Sequence, residues 1–201
     1  MKHVSTPAPA APTAPARSDA ELLSAFAGGD RDVAAVLTQR LLPRVLAQAV
    51  RMLADRAEAE DVAQEAMMRL WRIAPDWRTG EAEVSTWLYR VTANLCTDRL
   101  RKRRRTAPLE AAPEPEDAAP SAPQRMQDGL RMTALSQALA DLPERQAQAV
   151  ALRHLEGLSN PEIAAAMDIS VRSVESLTAR GKRALAAILA PRRAELGYDD
   201  D

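Results

Sequence analysis

Cysteine and histidine are almost missing from this chain: Cys96, His3 and His154 are all there is among 201 residues. A single thiol excludes an internal disulfide, and three such scattered side chains offer no metal-ligand cluster. Glycine is limited to seven residues and aromatics to 3% of the chain. No uncharged run is long enough to span a bilayer, and no apolar segment of the signal-peptide kind follows the N-terminus. A cytoplasmic protein with no membrane insertion is therefore expected. Clean period-two alternation is absent too, so no strands are expected. Neither a Ser/His/Asp set, a Gly-rich phosphate loop nor a catalytic carboxylate pair stands out, which argues against an enzyme and calls for no cofactor. What is abundant is alanine, leucine, glutamate and arginine, the composition of an all-α fold.

The net charge of −1 hides a strong asymmetry. Arg99 to Arg105 (RLRKRRR) is basic at six of seven positions, while Glu110 to Asp117 holds four acids. For nucleic-acid binding the distribution matters more than the sum. Residues 1–17 are rich in Pro and Ala without any hydrophobic period and read as a disordered tail. Residues 18–105 are helical by pattern, 106–126 carry five prolines and several acids, and helical pattern resumes over 127–190. Residues 191–201 form a short charged end. The expectation is two small helical domains joined by a flexible Pro/Ala/Glu-rich linker. Extended as polyproline, ~20 linker residues at ~3.1 Å each reach ~60 Å, or roughly 18 base pairs of duplex at ~3.4 Å per pair. Such a linker lets two domains read two separated DNA elements, or is a passive spacer.

In the first domain, Leu22, Leu23 and Phe26 open an amphipathic segment that Gly28-Gly29-Asp30 interrupts. A long helix follows with Val33, Val36, Leu37, Leu41, Val45, Ala49 and Leu53 inward, and Pro43 predicts a kink or boundary within it. A second helix, about Glu58 to Ala74, has Ala63, Met67, Leu70, Trp71 and Ala74 on one stripe. Asp61, Gln64, Glu65 and Met68 fall on its other faces, as a partner surface or a solvated one. A helix over about Val84 to Arg105 buries Val84, Leu88, Val91 and Leu95 and ends in the basic run. Four of the six aromatics (Trp71, Trp77, Trp87 and Tyr89) lie close to it. Rings beside cations suit a single strand, with bases stacked and phosphates held. Alternatively, Trp71 and Trp87 are core anchors and only Trp77 or Tyr89 is available.

Leu142 to Leu185 (LPERQAQAVALRHLEGLSNPEIAAAMDISVRSVESLTARGKRAL) reads as a helix-turn-helix. Ser159 and Glu162 make an S-x-x-E capping box with Pro161 tolerated in the first turn. Ile163, Ala164 and Met167 supply the apolar stripe, Asp168-Ile169 the turn, and Ser170 the next N-cap. Val174, Leu177, Gly181, Ala184, Leu185 and Ile188 then recur at spacings of three and four. Arg172, Ser173, Ser176, Arg180, Lys182 and Arg183 remain on the outer faces, where such a helix meets base edges in a major groove. The plainer alternative is an amphipathic hairpin with solvated charges; two caps around a three-residue turn favour DNA binding.

Taken together, AEDVAQEAMMRLWR (Ala59 to Arg72), STWLYRVTANLCTDRLRKRRR (Ser85 to Arg105) and the Leu142–Leu185 segment resemble regions 2.2, 2.3–2.4 and 4 of the extracytoplasmic-function sigma factors, the minimal group of the sigma-70 family. The likeness covers nearly the whole ordered chain, in order. It implies a factor that binds core RNA polymerase, directs it to −35/−10 promoters and helps melt DNA, with a role in a stress or environmental response.

By that resemblance Asp61, Gln64, Glu65 and Met68 meet the β′ clamp helices, and region 4 meets the β flap. Asn94 matches the position that captures a flipped −10 base, with Trp87 and Tyr89 nearby and Arg99, Arg101, Arg103 and Arg104 on the backbone. Flipping costs a few kcal/mol, which a pocket and cations can offset. Arg172, Ser173, Ser176 and Arg180 match the −35 reading positions, with Lys182 and Arg183 towards phosphates. Glu175 departs from the pattern; a carboxylate there is repelled by phosphate but can accept from cytosine N4. The family commonly pairs with an anti-sigma factor, here expected to be a separate chain. Two alternatives stay open: a helix-turn-helix regulator that acts without polymerase, and a decoy that binds only an anti-sigma factor.

Overall fold

The computed structural model describes residues 17–78, 83–106 and 122–198, and among these all regular structure is helical. Residues 1–16 of the expected tail and residues 107–121 of the expected linker lie outside the described residues. α1 (Asp19–Ala27) starts at Ser18, whose hydroxyl accepts from the Glu21 N–H while the Glu21 carboxylate accepts from the Ser18 N–H. This is a second S-x-x-E box that the apolar pattern from Leu22 onward does not reveal. Gly29 then takes φ of 102°, a left-handed turn open to glycine, and releases the chain into α2 (Val33–Leu53).

α2 runs unbroken for 21 residues through Pro43, so the expected boundary is absent. Pro43 is solvent-exposed, which leaves water to satisfy the carbonyl that loses its amide partner. Val36, expected inward, is instead 39% exposed. Ala54 ends the helix in a left-handed conformation, and Asp55 caps α3 (Arg56–Ile73) by accepting from the Glu58 N–H. A short 3-10 turn, Ala74–Asp76, leads towards α4 (Val84–Thr106). One core joins α1 to α4 through Leu22, Leu23, Leu37, Leu41, Val45, Met67, Leu70, Val84 and Leu88.

The second half comprises α5 (Ala122–Asp141), α6 (Glu144–Val150), a π-helical turn (Ala151–Leu155), α7 (Asn160–Met167) and α8 (Val171–Leu189). α5 begins at Ala122, so the last residues assigned to the linker are helical, with Pro123 in the first turn where its missing N–H costs nothing. Nor is the segment after α8 merely a charged end. Leu196 is buried, its carbonyl accepts from Arg131 Nε at 2.9 Å, and Arg192 donates to Gln137 Oε1 at 2.9 Å, so the segment folds back on α5.

The halves are packed against each other. A second core runs from Ala49, Met52, Leu53, Ala59, Ala93, Cys96 and Leu100 into Leu139, Leu142, Leu152, Ile163 and Met167. α4 therefore has two buried faces. Val84, Leu88 and Val91 point into its own bundle, while Ala93, Cys96 and Leu100 point at the second half. The carbonyl of Leu53, at the end of α2, accepts from both Arg103 Nη1 at 3.1 Å and the Ser136 hydroxyl at 3.1 Å.

Candidate functional site

The outward face of α3 carries Asp61, Gln64 and Met68 in the open and Glu65 half-buried. Met68 protrudes, 45% exposed. Beside it a groove of 620 Å³ runs between α2 and α3, with Leu42, Leu46, Met67, Met68 and Trp71 as apolar lining and Glu60, Asp61 and Gln64 at its edge. An apolar floor with a polar rim is the usual anatomy of a protein–protein contact. Leu42 and Leu46 escaped the sequence reading because they flank the inward stripe of α2, four residues apart. Glu65 pairs with Arg69 at 2.8 Å along the helix, and Asp61 lies 3.6 Å from Arg99 of α4.

The aromatics separate into two pairs. Trp71 packs on Phe26 with centroids 4.7 Å apart, within the first core. Trp87 meets Trp77 edge to face at 6.0 Å. Both rings of the second pair line a cavity of 330 Å³ together with Ile73, Asp76, Arg78, Arg90, Ala165 and Ala166. Trp77 Nε1 is buried there without a hydrogen-bond partner, and so, elsewhere on α4, is Asn94 Oδ1. Buried polar atoms without a partner are uncommon in folded proteins. Tyr89 is half-buried against the second core.

The basic run does not present one open cationic face. Arg103 bonds Asp55 Oδ2 at 2.9 Å, Glu58 Oε1 at 3.0 Å and the Leu53 carbonyl, and so clasps the end of α4 to the start of α3. The acid that caps α3 sits beside the last turn of α4 and engages the guanidinium of this expected backbone-holding arginine. Arg101 pairs with Glu144, and Arg104 lies 3.3 Å from Asp141, both acids belonging to the second half. Arg90, unremarked in the sequence, donates to the carbonyl of Ala166 on α7. Cys96 is fully buried, and burial pushes its thiol up to about 12, which keeps it protonated and unreactive.

In the second half the helix-turn-helix geometry is as its caps predict. The Ser159 hydroxyl accepts from the Glu162 N–H at 3.5 Å, and Glu162 Oε2 accepts from the Ser159 N–H at 2.7 Å. Asp168 turns the chain with φ of 52°, and the Ser170 hydroxyl accepts from the Ser173 N–H at 3.2 Å to start α8. Arg172, Ser173, Ser176, Arg180 and Arg183 stand exposed along α8, as does Glu175. The Ser173 hydroxyl is shared with Ser170 Oγ at 2.8 Å. Lys182, also exposed, borders a separate apolar groove of 200 Å³ formed with Leu135, Leu139, Val150, His154, Leu155 and Leu185.

Hydrogen bonds from Ser159 to the Glu162 carboxylate hold it below the usual carboxylate range. A depressed folded-state value means this contribution is present above the ordinary carboxylate range and is lost as pH falls through the lowered value. Ser159→Ala removes the box and is expected to cost ~1 kcal/mol at neutral pH, with the difference from the parent protein shrinking in acid, as read by urea melts across pH.

Residues 37–106 match the family Sigma-70 region 2, and residues 132–185 match Sigma-70, region 4. The chain is 36% identical over 176 residues to the ECF RNA polymerase sigma factor SigM of Mycobacterium tuberculosis, covering 86% of this chain and 85% of SigM. It is 34% identical over 163 residues to SigE of Mycolicibacterium smegmatis, covering 79% of this chain but only 62% of SigE. In fold it is similar to CnrH, solved with the cytosolic domain of CnrY (TM-score 0.62, 23% identity, 87% of this chain, 99% of that one). It is also similar to RpoE of Bartonella quintana, solved with the anti-sigma factor NepR (TM-score 0.54, 22% identity, 76% and 94% covered). Two successive region matches and a relative matched along nearly its whole length place the chain among the extracytoplasmic-function sigma factors of the sigma-70 family.

Proposed function

We propose that this chain is an alternative sigma factor that binds core RNA polymerase, brings it to promoters with −35 and −10 elements, and helps open the DNA. The observation that carries this reading is the order of three surfaces on one chain: a rimmed apolar groove on α3, an aromatic and cationic helix α4, and a capped helix-turn-helix. The α3 face with Asp61, Gln64, Glu65 and Met68 docks on the β′ clamp helices, and the second half reaches the β flap. Trp87, Tyr89 and Asn94 serve the −10 element, with Arg99, Arg101, Arg103 and Arg104 on phosphates. α8 enters the major groove at −35 through Arg172, Ser173, Ser176 and Arg180, with Lys182 and Arg183 near the backbone. Residues 18–105 and 127–190 are the working units of these two tasks.

No cofactor and no catalytic residue enter this mechanism: the polymerase supplies the chemistry. The site of action is the cytoplasm, where polymerase and promoter are; no helix among the described residues is long and apolar enough to cross a membrane. RpoE of Bartonella quintana was solved with an anti-sigma factor, which supports a separate anti-sigma partner here.

Run-off transcription of fragmented genomic DNA by purified core polymerase, with and without this protein, tests the reading. New starts that share −35 and −10 elements are expected. Their absence, with folded protein and active core, points to a polymerase-independent regulator or a decoy. At the −35 element, Arg180→Ala is expected to weaken use by ~1–3 kcal/mol at one base pair. A uniform loss over all sequences in a −35 mutation series makes Arg180 a phosphate contact instead.

A further inference from the structure

Along α8, Arg172, Glu175, Ser176, Ala179 and Arg183 recur at spacings of three and four, stand exposed, and lie opposite the buried Val174 and Gly181. Cations hold the ends of this strip and one acid its middle. The residues beside that acid, Ser176 and Ala179, are the shortest on the strip. A helix laid along a groove here brings the Glu175 carboxylate to base edges before a longer side chain stops it. The other polar groups nearby are engaged within the helix. The Ser173 hydroxyl is shared with Ser170 Oγ at 2.8 Å, the Thr178 hydroxyl donates to the Val174 carbonyl at 2.9 Å, and Arg180 Nε donates to the Ser176 carbonyl at 3.2 Å. Acids elsewhere in the second half have cations: Asp141 lies 3.3 Å from Arg104, Glu156 2.6 Å from Arg51 and Glu195 3.0 Å from Arg192. The Glu175 carboxylate has no partner among the described residues. On a helix that meets a polyanion, such an acid lowers affinity unless the ligand brings it a donor.

We propose that Glu175 is a specificity-determining residue, whose carboxylate accepts from the N4 amino group of one cytosine in the major groove of the −35 element. This rests on the assignment of α8 to that element. The groove edges decide the base. Guanine shows two acceptors, and thymine an acceptor and a methyl group, so both repel a carboxylate or leave it without a donor. Adenine has an amino donor, but its N7 lone pair lies alongside and opposes the second carboxylate oxygen. Cytosine offers the N4 donor with no acceptor of its own beside it. The charge therefore acts by exclusion as much as by attraction. Phosphates repel it, so a register that lays Glu175 on the backbone is disfavoured, while one that seats it on cytosine is kept.

One atom separates two base codes at this position. Glutamine keeps the length of glutamate, but its amide carries an acceptor and a donor, which pair with N6 and N7 of adenine. Promoters mapped by run-off transcription are rebuilt with each −35 base pair replaced in turn by the other three. They are then transcribed by holoenzyme containing the parent chain, Glu175→Gln or Glu175→Ala. The parent is expected to prefer cytosine at one position about 10- to 100-fold. Glu175→Gln is expected to move that preference to adenine and to leave every other position as it was. Glu175→Ala is expected to flatten it. The position is exposed, and unchanged circular dichroism establishes that both variants keep the fold.

A rise in transcription that is equal for every −35 sequence, in either variant, puts the carboxylate beside phosphates and overturns the proposal. An unchanged preference profile in both variants overturns it too. In these two outcomes the parent's own starts leave the sigma reading intact. A folded parent chain that gives no starts with active core removes both.

Discussion

Asp61→Arg combined with Glu65→Arg is expected to abolish binding to core polymerase while the protein stays folded. Both carboxylates belong to α3, Asp61 open at the groove rim and Glu65 half-buried one turn on. Their partners within the chain, Arg99 at 3.6 Å and Arg69 at 2.8 Å, are partly exposed, and such pairs contribute little to stability. Reversing two charges in an interface acts differently: each removes an attraction and adds a repulsion at desolvated distance, on the order of 2–5 kcal/mol apiece. A loss beyond about a thousandfold in affinity follows, read by gel filtration or by fluorescence of a labelled chain with purified core. Unchanged circular dichroism and melting temperature establish that the fold survives. A folded double mutant that still binds core normally sinks the assignment of this face.

The second large effect concerns a residue that touches no DNA. Gly181 sits in α8 where the helix crosses α6, and a Cβ built there comes within 2.5 Å of Val150 Cγ2 and 3.3 Å of the Gln146 carbonyl. In a free helix, glycine to alanine stabilises by ~0.5–1 kcal/mol. Here the sign reverses. Val150 is buried and the Gln146 oxygen is backbone, so neither can yield without parting the helices, and overpacking of this kind costs ~1–3 kcal/mol. Gly181→Ala is therefore expected to lower the melting temperature and to weaken −35 binding together, because α8 is displaced bodily. A stabilised Gly181→Ala protein overturns the close crossing of α6 and α8 at this position.

Helices, caps and inward stripes were legible because they are local. Ser159, Glu162 and Ser170 announced the helix-turn-helix through hydrogen bonds that reach only three residues, and the spacings on α7 and α8 named most of their buried sides. Val36 and Pro43 show the limits of that reading. The first continues an apolar stripe yet faces water, and the second sits in an unbroken helix because its outer side is solvated. Long-range partnership was not legible. The run RLRKRRR reads as one block of charge, but Arg103 turns to Asp55 and Glu58 while Arg101 and Arg104 turn to acids about 40 residues away in sequence. Ala93, Cys96 and Leu100 likewise form a stripe too poor in bulk to stand out. Only the docking of α5 to α7 against α4 makes them core.

The double use of the Leu53 carbonyl, by Arg103 within the first half and by Ser136 within the second, bears on how the chain is made. A ribosome adds ~5–20 residues each second, so several seconds separate the emergence of Leu100 from that of Leu152. During that interval α1 to α4 can assemble around their own core, with Arg103 already holding Leu53, while Cys96 and Leu100 lack the part of their cover that Leu139, Leu142 and Leu152 supply. The nascent first half is thus adhesive on one side until the helix-turn-helix arrives. Pausing of translation between these points, or truncation after α4, lengthens the exposure and invites chaperones or aggregation at that stripe.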